Sequence, residues 1–191
     1  MATTETTYLL GSADDAGYWY SSKTYSHNPS STGYDQVYQN TGGTHKQGFD
    51  RTSSRYKYRH GFFRFPNIDI AQGTNIVSAY FKNNFYDGED VKYYLVGYDA
   101  DNAVSLVDGS TTFQVSDGDH GNHTTASVLY QVPLNGSQDA SNDNYITSND
   151  ISSIIQEIID RPGWSSGNSL MLIMILTLSY SSDEYRRSWG Y

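Results

Sequence analysis

Tyrosine sets the terms for this chain. It occurs 18 times in 191 residues, and the longest apolar run is short. A tyrosine ring brings large apolar area with a hydroxyl that needs water or a partner. Such side chains suit strands that bury one side and wet the other. Seventeen of the 21 acids are Asp, which favours turns, and only four are Glu, which favours helices. Helix-forming residues are too scarce for a bundle or coiled coil, and a chain this aromatic does not resemble a disordered one. We therefore expect one all-β domain spanning residues 1–191.

Charge and leader signals bound the function further. The net charge of −9 argues against a general nucleic-acid binder. With no cysteine, disulfides, thiolate zinc sites and thiol nucleophiles are excluded. The start Met-Ala-Thr-Thr-Glu-Thr-Thr has neither a basic region nor an apolar core, so no secretory signal is expected. The run Leu170 to Leu178 falls well below the roughly 20 residues of a spanning helix. The expectation is a protein made in the cytoplasm, with no membrane partner.

Along the chain, residues 1–50 read as a loop-rich part, with one apolar run at Thr6–Leu10 and a strand near Gln36–Gln39. Strands are expected at Tyr56–Phe65, with Gly61 as a bulge, at Asn75–Tyr86 and at Val91–Tyr98. The last two flank Asp87-Gly88-Glu89-Asp90 and read as a hairpin. His123–Val132 is a further strand. Ser169–Tyr180 is the most apolar strand and is expected at the centre. One helix over about 150–161 follows from Ile151, Ile154, Ile155, Ile158 and Ile159, which form a single stripe. Asn149 or Asp150 can cap it, and Arg161-Pro162-Gly163 ends it. Ile is a mediocre helix former, so the stripe must be buried, with Trp164 packed below.

The chemistry-bearing residues are ambiguous when read locally. Asp99 and Asp101 follow a strand and could offer oxygens to Ca²⁺, as could Asp117 and Asp119 in a later loop or the pair Asp14-Asp15. None of these sets matches an EF-hand loop, so turn chemistry is the simpler reading. His120 and His123 come without a zinc-binding pattern. Neither a nucleophile elbow nor a Walker loop occurs. On a strand, Arg55, Lys57 and Arg59 share one face and Tyr56 and Tyr58 the other. That basic face is either solvated or docks on an acidic partner. Tyr18, Trp19 and Tyr20 could stack on a sugar ring or meet another protein.

Three segments carry a resemblance: Phe62 to Tyr80, Gly97 to Ala103, and Ile151 to Leu172. In that order they resemble the jelly-roll-like antiparallel β-sandwich domains of the DNRLRE and carbohydrate-binding-module type, found in surface proteins and phage virion proteins. The likeness spans roughly residues 60–180. It implies a sandwich plugged by the Ile-rich helix and Trp164, and it brings no catalytic residues. Asp99 and Asp101 fall on the family's strand-end motif. The family's usual closing strand has no counterpart in Arg186 to Tyr191, so a final strand is expected to be missing or replaced by a neighbour's, which leaves an open sheet edge.

From these features we expect a non-enzymatic structural protein of a phage virion, decorating the capsid or associated with the tail. It would contact other virion proteins, assemble as a homo-oligomer, and bind no nucleic acid directly. No cofactor is expected beyond the Ca²⁺ that Asp99 and Asp101 could hold. Tyr18, Trp19, Tyr20, Arg55, Lys57 and Arg59 are the candidate contacts. The alternative is a carbohydrate-binding module on a cell or particle surface.

Overall fold

A computed structural model describes residues 6, 8, 16–23, 34–39, 44–51, 56–88, 91–105, 122–132, 145–176 and 184–189. Their strands are β1 (Ala16–Lys23), β2 (Tyr34–Gln39), β3 (Thr44–Arg51), β4 (Tyr56–Phe65), β5 (Lys82–Gly88), β6 (Val91–Tyr98), β7 (His123–Val132), β8 (Tyr145–Thr147), β9 (Leu170–Leu176) and β10 (Glu184–Trp189). The single helix, α1, is Ser152–Ile159. The described part is thus mostly β, with every pairing antiparallel.

The strand order is β7-β6-β9-β4-β3-β10-β5-β8, with β1 on β4 and β2 beyond β1. Strand β4 organises this order. Phe62 pairs with both Gly17 of β1 and Ile173 of β9, while Arg59 pairs with both Tyr20 of β1 and Gly48 of β3. One edge of β4 is therefore filled by β1, and the other by β3 and β9 placed end to end.

The most apolar segment lies in the interior. All seven residues of β9 are buried between β6 and β4. Alternation sends Leu170, Leu172, Met174 and Leu176 to the main core, which also holds Phe63, Tyr93, Leu95 and the isoleucines of α1. Met171, Ile173 and Ile175 join a second cluster with Phe62 and Val96. A strand buried on both faces reads as a continuous apolar run, which is the pattern Leu170–Leu176 shows. From the neighbouring parts of the fold, Phe81 packs on Phe63 at 4.8 Å between ring centroids and on Tyr130 at 5.8 Å.

Helix α1 lies directly against β6 at Gly97. A Cβ there would stand 2.5 Å from Ile158 Cδ1 and 3.0 Å from both Ile154 Cγ2 and Thr124 Cγ2. Only a residue without a side chain lets the isoleucine stripe reach the sheet. Ile154, Ile158 and Ile159 are fully buried. That burial stabilises a helix whose own residues hold it weakly, by about 2 kcal/mol for each isoleucine removed from water.

Several expectations need correction. Asn75–Tyr86 and Val91–Tyr98 do not pair as a hairpin: β6 has both edges taken by β7 and β9, and β5 pairs with β10 and β8. Pairing β6 with the all-apolar β9 buries more than the local turn could. Residues 75–81 are not strand either, because side chains from another segment bind their backbone. Gly61 shows no bulge; it stands in regular register opposite Tyr18 and Met174, where the edge of β4 passes from β3 to β9. The N-terminal part holds β1 and β3 as well as the expected strand near Gln36–Gln39. The C-terminal stretch forms a strand, β10, paired along its length with β3 and over Arg186–Ser188 with β5. The apolar run at Thr6–Leu10 lies largely outside the described residues.

Gly97→Ala should lower stability by about 1–3 kcal/mol, as overpacking does, with a matching fall in Tm. An unchanged Tm would show that α1 does not rest on Gly97.

Candidate functional site

The segments Phe62 to Tyr80, Gly97 to Ala103 and Ile151 to Leu172 converge on one place, the end of β6 beneath the C-terminus of α1. Arg161 is the link. Its Nε donates to Asp101 Oδ1 at 2.8 Å, and its Nη1 donates to Asp99 Oδ1. The hydrogen bond to Asp101 is the main influence holding the guanidinium above its ordinary range; burial opposes it, and Asp99 adds to it. Both aspartates come from the turn that follows β6, and Arg161 comes from the residues that stop the helix.

Backbone hydrogen bonds lock the same place. Asn168 Nδ2 donates to the Asp101 carbonyl, the Ser169 N–H to Asn102 Oδ1, and the Ala103 N–H to the Ser169 carbonyl. Arg64 reaches in from β4, donating to the Ala103 carbonyl and to Ser169 Oγ. From the connection 66–81, the Ile70 carbonyl accepts Trp164 Nε1–H at 2.9 Å, and Ile68 exchanges backbone hydrogen bonds with Gly167 and Asn168. Gly163 passes so close to Asp101 that any Cβ would collide with its carboxylate.

A second set of polar side chains binds backbone on both sides of α1. Towards the connection 66–81, Gln156 Oε1 accepts the Ile76 N–H and Asp150 Oδ1 accepts the Ala79 N–H. Beside them, Ser148 Oγ accepts the Phe81 N–H. Towards β7, the Glu157 carboxylate accepts the N–H groups of Thr125 and Ala126, at 2.7 and 2.9 Å. At the helix end, Gly73 N–H donates to the Ile159 carbonyl and Gln72 Nε2 to the Arg161 carbonyl. The carbonyls orphaned at a helix C-terminus thus find donors. Asp150 also accepts the Ser152 N–H at 2.8 Å, so it supplies the cap that Ile151 lacks. The backbone hydrogen bonds from Ser152, then Ala79, hold its carboxyl below the usual range.

Of the candidate residues, Asp99 and Asp101 meet on Arg161. Among the described residues no three His, Cys, Asp or Glu side chains gather as a metal-binding group. Tyr18, Trp19 and Tyr20 lie in mid-strand between β2 and β4, opposite Gly61, His60 and Arg59. Lys57 and Arg59 stand in register with Asp50 and Gly48 of β3. Arg55, Asp14, Asp15, Asp117, Asp119 and His120 lie outside the described residues.

Sequence reading missed the roles of Ser148, Gln156 and Glu157. Their partners sit 31 to 80 positions away, so no local pattern announces them. It also missed Tyr80 and Tyr145, which are exposed at 60% and 51%. Comparison with known protein families, curated proteins and solved structures finds no match to this chain.

Two measurements test this arrangement. The Arg161, Asp99 and Asp101 side chains are 28%, 37% and 45% exposed, so solvent screens the ion pairs. Arg161→Met should therefore cost only about 1 kcal/mol. Gly163→Ala, by driving Asp101 off the guanidinium, should remove much of the same contact, so the double variant should fall short of the sum of the two. Full additivity in denaturant unfolding would refute the shared contact. For Asp150, the lowered folded pKa means its stabilisation is complete above the ordinary Asp range near pH 4 and is lost as pH falls through the folded value. Asp150→Ala should lower Tm at pH 7, with the difference shrinking towards pH 2. A constant difference would count against that role.

Proposed function

We propose that this chain is a non-enzymatic structural protein of a phage virion, decorating the capsid or associated with the tail, built on a jelly-roll-like β-sandwich. The supporting observation is the convergence of the three resembling segments. They are separated in sequence, yet Arg161, Trp164 and Asn168 tie them into one interlocked unit. A unit of this kind is what a shared domain framework would preserve, and the resembling domains occur in virion and surface proteins. Four carboxylates are engaged in that framework: Asp99 and Asp101 hold Arg161, and Asp150 and Glu157 hold backbone N–H groups. In this reading the chain meets other capsid or tail subunits and copies of itself. Tyr18, Trp19, Tyr20, Arg55, Lys57 and Arg59 are the first contacts to test, and Ca²⁺ is the ion to test at Asp99 and Asp101.

A second reading, a carbohydrate-binding module on a cell or particle surface, is favoured by the exposed rings of Tyr80 and Tyr145 beside Lys82.

Peptide mass spectrometry of purified particles, compared with the cell-envelope fraction, separates the two. High-copy recovery from particles is the expected result. Presence in the envelope fraction with absence from particles would refute the virion reading and leave glycan binding in front.

A further inference from the structure

The ribbon formed by β5 and β8 has two unlike sides. Asn83 and Phe85 are buried, and Ile146 packs on the main core. On the other side Lys82 of β5 and Tyr145 and Thr147 of β8 are exposed and Asn84 is half-buried; Tyr80, just before β5, is exposed as well. Lys82 lies opposite Thr147, and Asn84 lies opposite Tyr145. The Lys82 ammonium is 5.2 Å from the centre of the Tyr145 ring. Tyr80 stands two residues before Lys82, just outside the strand. Asn84 Oδ1 is shielded from water, and among the described residues it has no hydrogen-bond partner, as is also true of the neighbouring Asn83 Nδ2.

These features ask for complementary chemistry in one ligand. An unpaired amide oxygen needs a hydroxyl or N–H donor, which a carboxylate alone cannot give. The ammonium needs an anion. Two exposed phenol rings, open rather than enclosed, suit flat C–H faces. We infer that the β5–β8 ribbon binds an acidic oligosaccharide. Tyr80 and Tyr145 lie under sugar rings, and Lys82 pairs with a carboxylate. A sugar hydroxyl that displaces the cover over Asn84 donates to its Oδ1. This inference rests on the glycan-binding reading and gives it a place and a charge class; the place differs from Tyr18, Trp19 and Tyr20.

The test titrates the full chain with an alginate tetrasaccharide, with cellotetraose as the neutral comparator, followed by backbone NMR shifts. Saturable shifts at Tyr80, Lys82 and Tyr145 are expected with alginate. Lys82→Gln should weaken binding about tenfold, the share of one charge-assisted contact. Tyr145→Ala should abolish binding, Tyr145→Phe should retain it, and Tyr94→Ala, on β6, should leave it unchanged. Circular dichroism checks that each variant folds, and Lys82→Gln decides the matter if Tyr145→Ala does not. Equal binding of the neutral sugar, with no effect of Lys82→Gln, would overturn the acidic site while glycan binding stands. Binding insensitive to Tyr145→Ala would overturn the location. No binding of either sugar would overturn the site and the glycan reading together.

Discussion

The approach of α1 to Gly97 is the contact on which the rest depends. A helix of mostly β-branched and polar residues has little intrinsic stability in eight positions. It persists because Ile154 and Ile158 reach the sheet through the space that Gly97 leaves. Once α1 is seated, its C-terminal end is fixed over the turn after β6. That sets Arg161 against Asp99 and Asp101, and it sets Trp164 under Ile70.

The polar residues around the helix do a different job. A chain that leaves the sheet must find partners for its backbone N–H groups, because unpaired buried donors are costly. Residues 76, 79 and 81 find theirs in Gln156, Asp150 and Ser148. Thr125 and Ala126 of β7 find theirs in Glu157. These side chains stand in for a neighbouring strand on both flanks of α1. Asn149, which donates to the Leu129 carbonyl at 3.4 Å, belongs to the same device. It gives backbone groups on both flanks of a single short helix partners that no strand supplies.

This explains why much of the site was invisible to sequence reading. The isoleucine stripe, a cap at Asn149 or Asp150 and the stop at Arg161-Pro162-Gly163 depend on neighbours within a few residues, so they could be read directly; that Asp150 is the cap was decided by the structure. Asp99 and Asp101 could be singled out, but not their partner, because a carboxylate pair after a strand looks alike whether it faces Ca²⁺, water or an arginine 60 positions on. Local pattern singles out Phe62 to Tyr80, Gly97 to Ala103 and Ile151 to Leu172, but it does not say that they touch.

The sequence by itself determined the class and most of the parts. Segments rich in β-branched and aromatic residues specify strands at Tyr56–Phe65, Val91–Tyr98 and His123–Val132, and the 3.6-residue repeat of isoleucine specifies the helix. The seven-residue apolar run specifies a strand buried on both faces. Only the tertiary structure decided which strands are neighbours. The turn after β5 suggested a hairpin, but β6 gains more by pairing with β9, and β10 supplies the partner that β5 would otherwise lack. Strand pairing is a competition settled by total burial across the chain, and local turn chemistry enters it as only one small term.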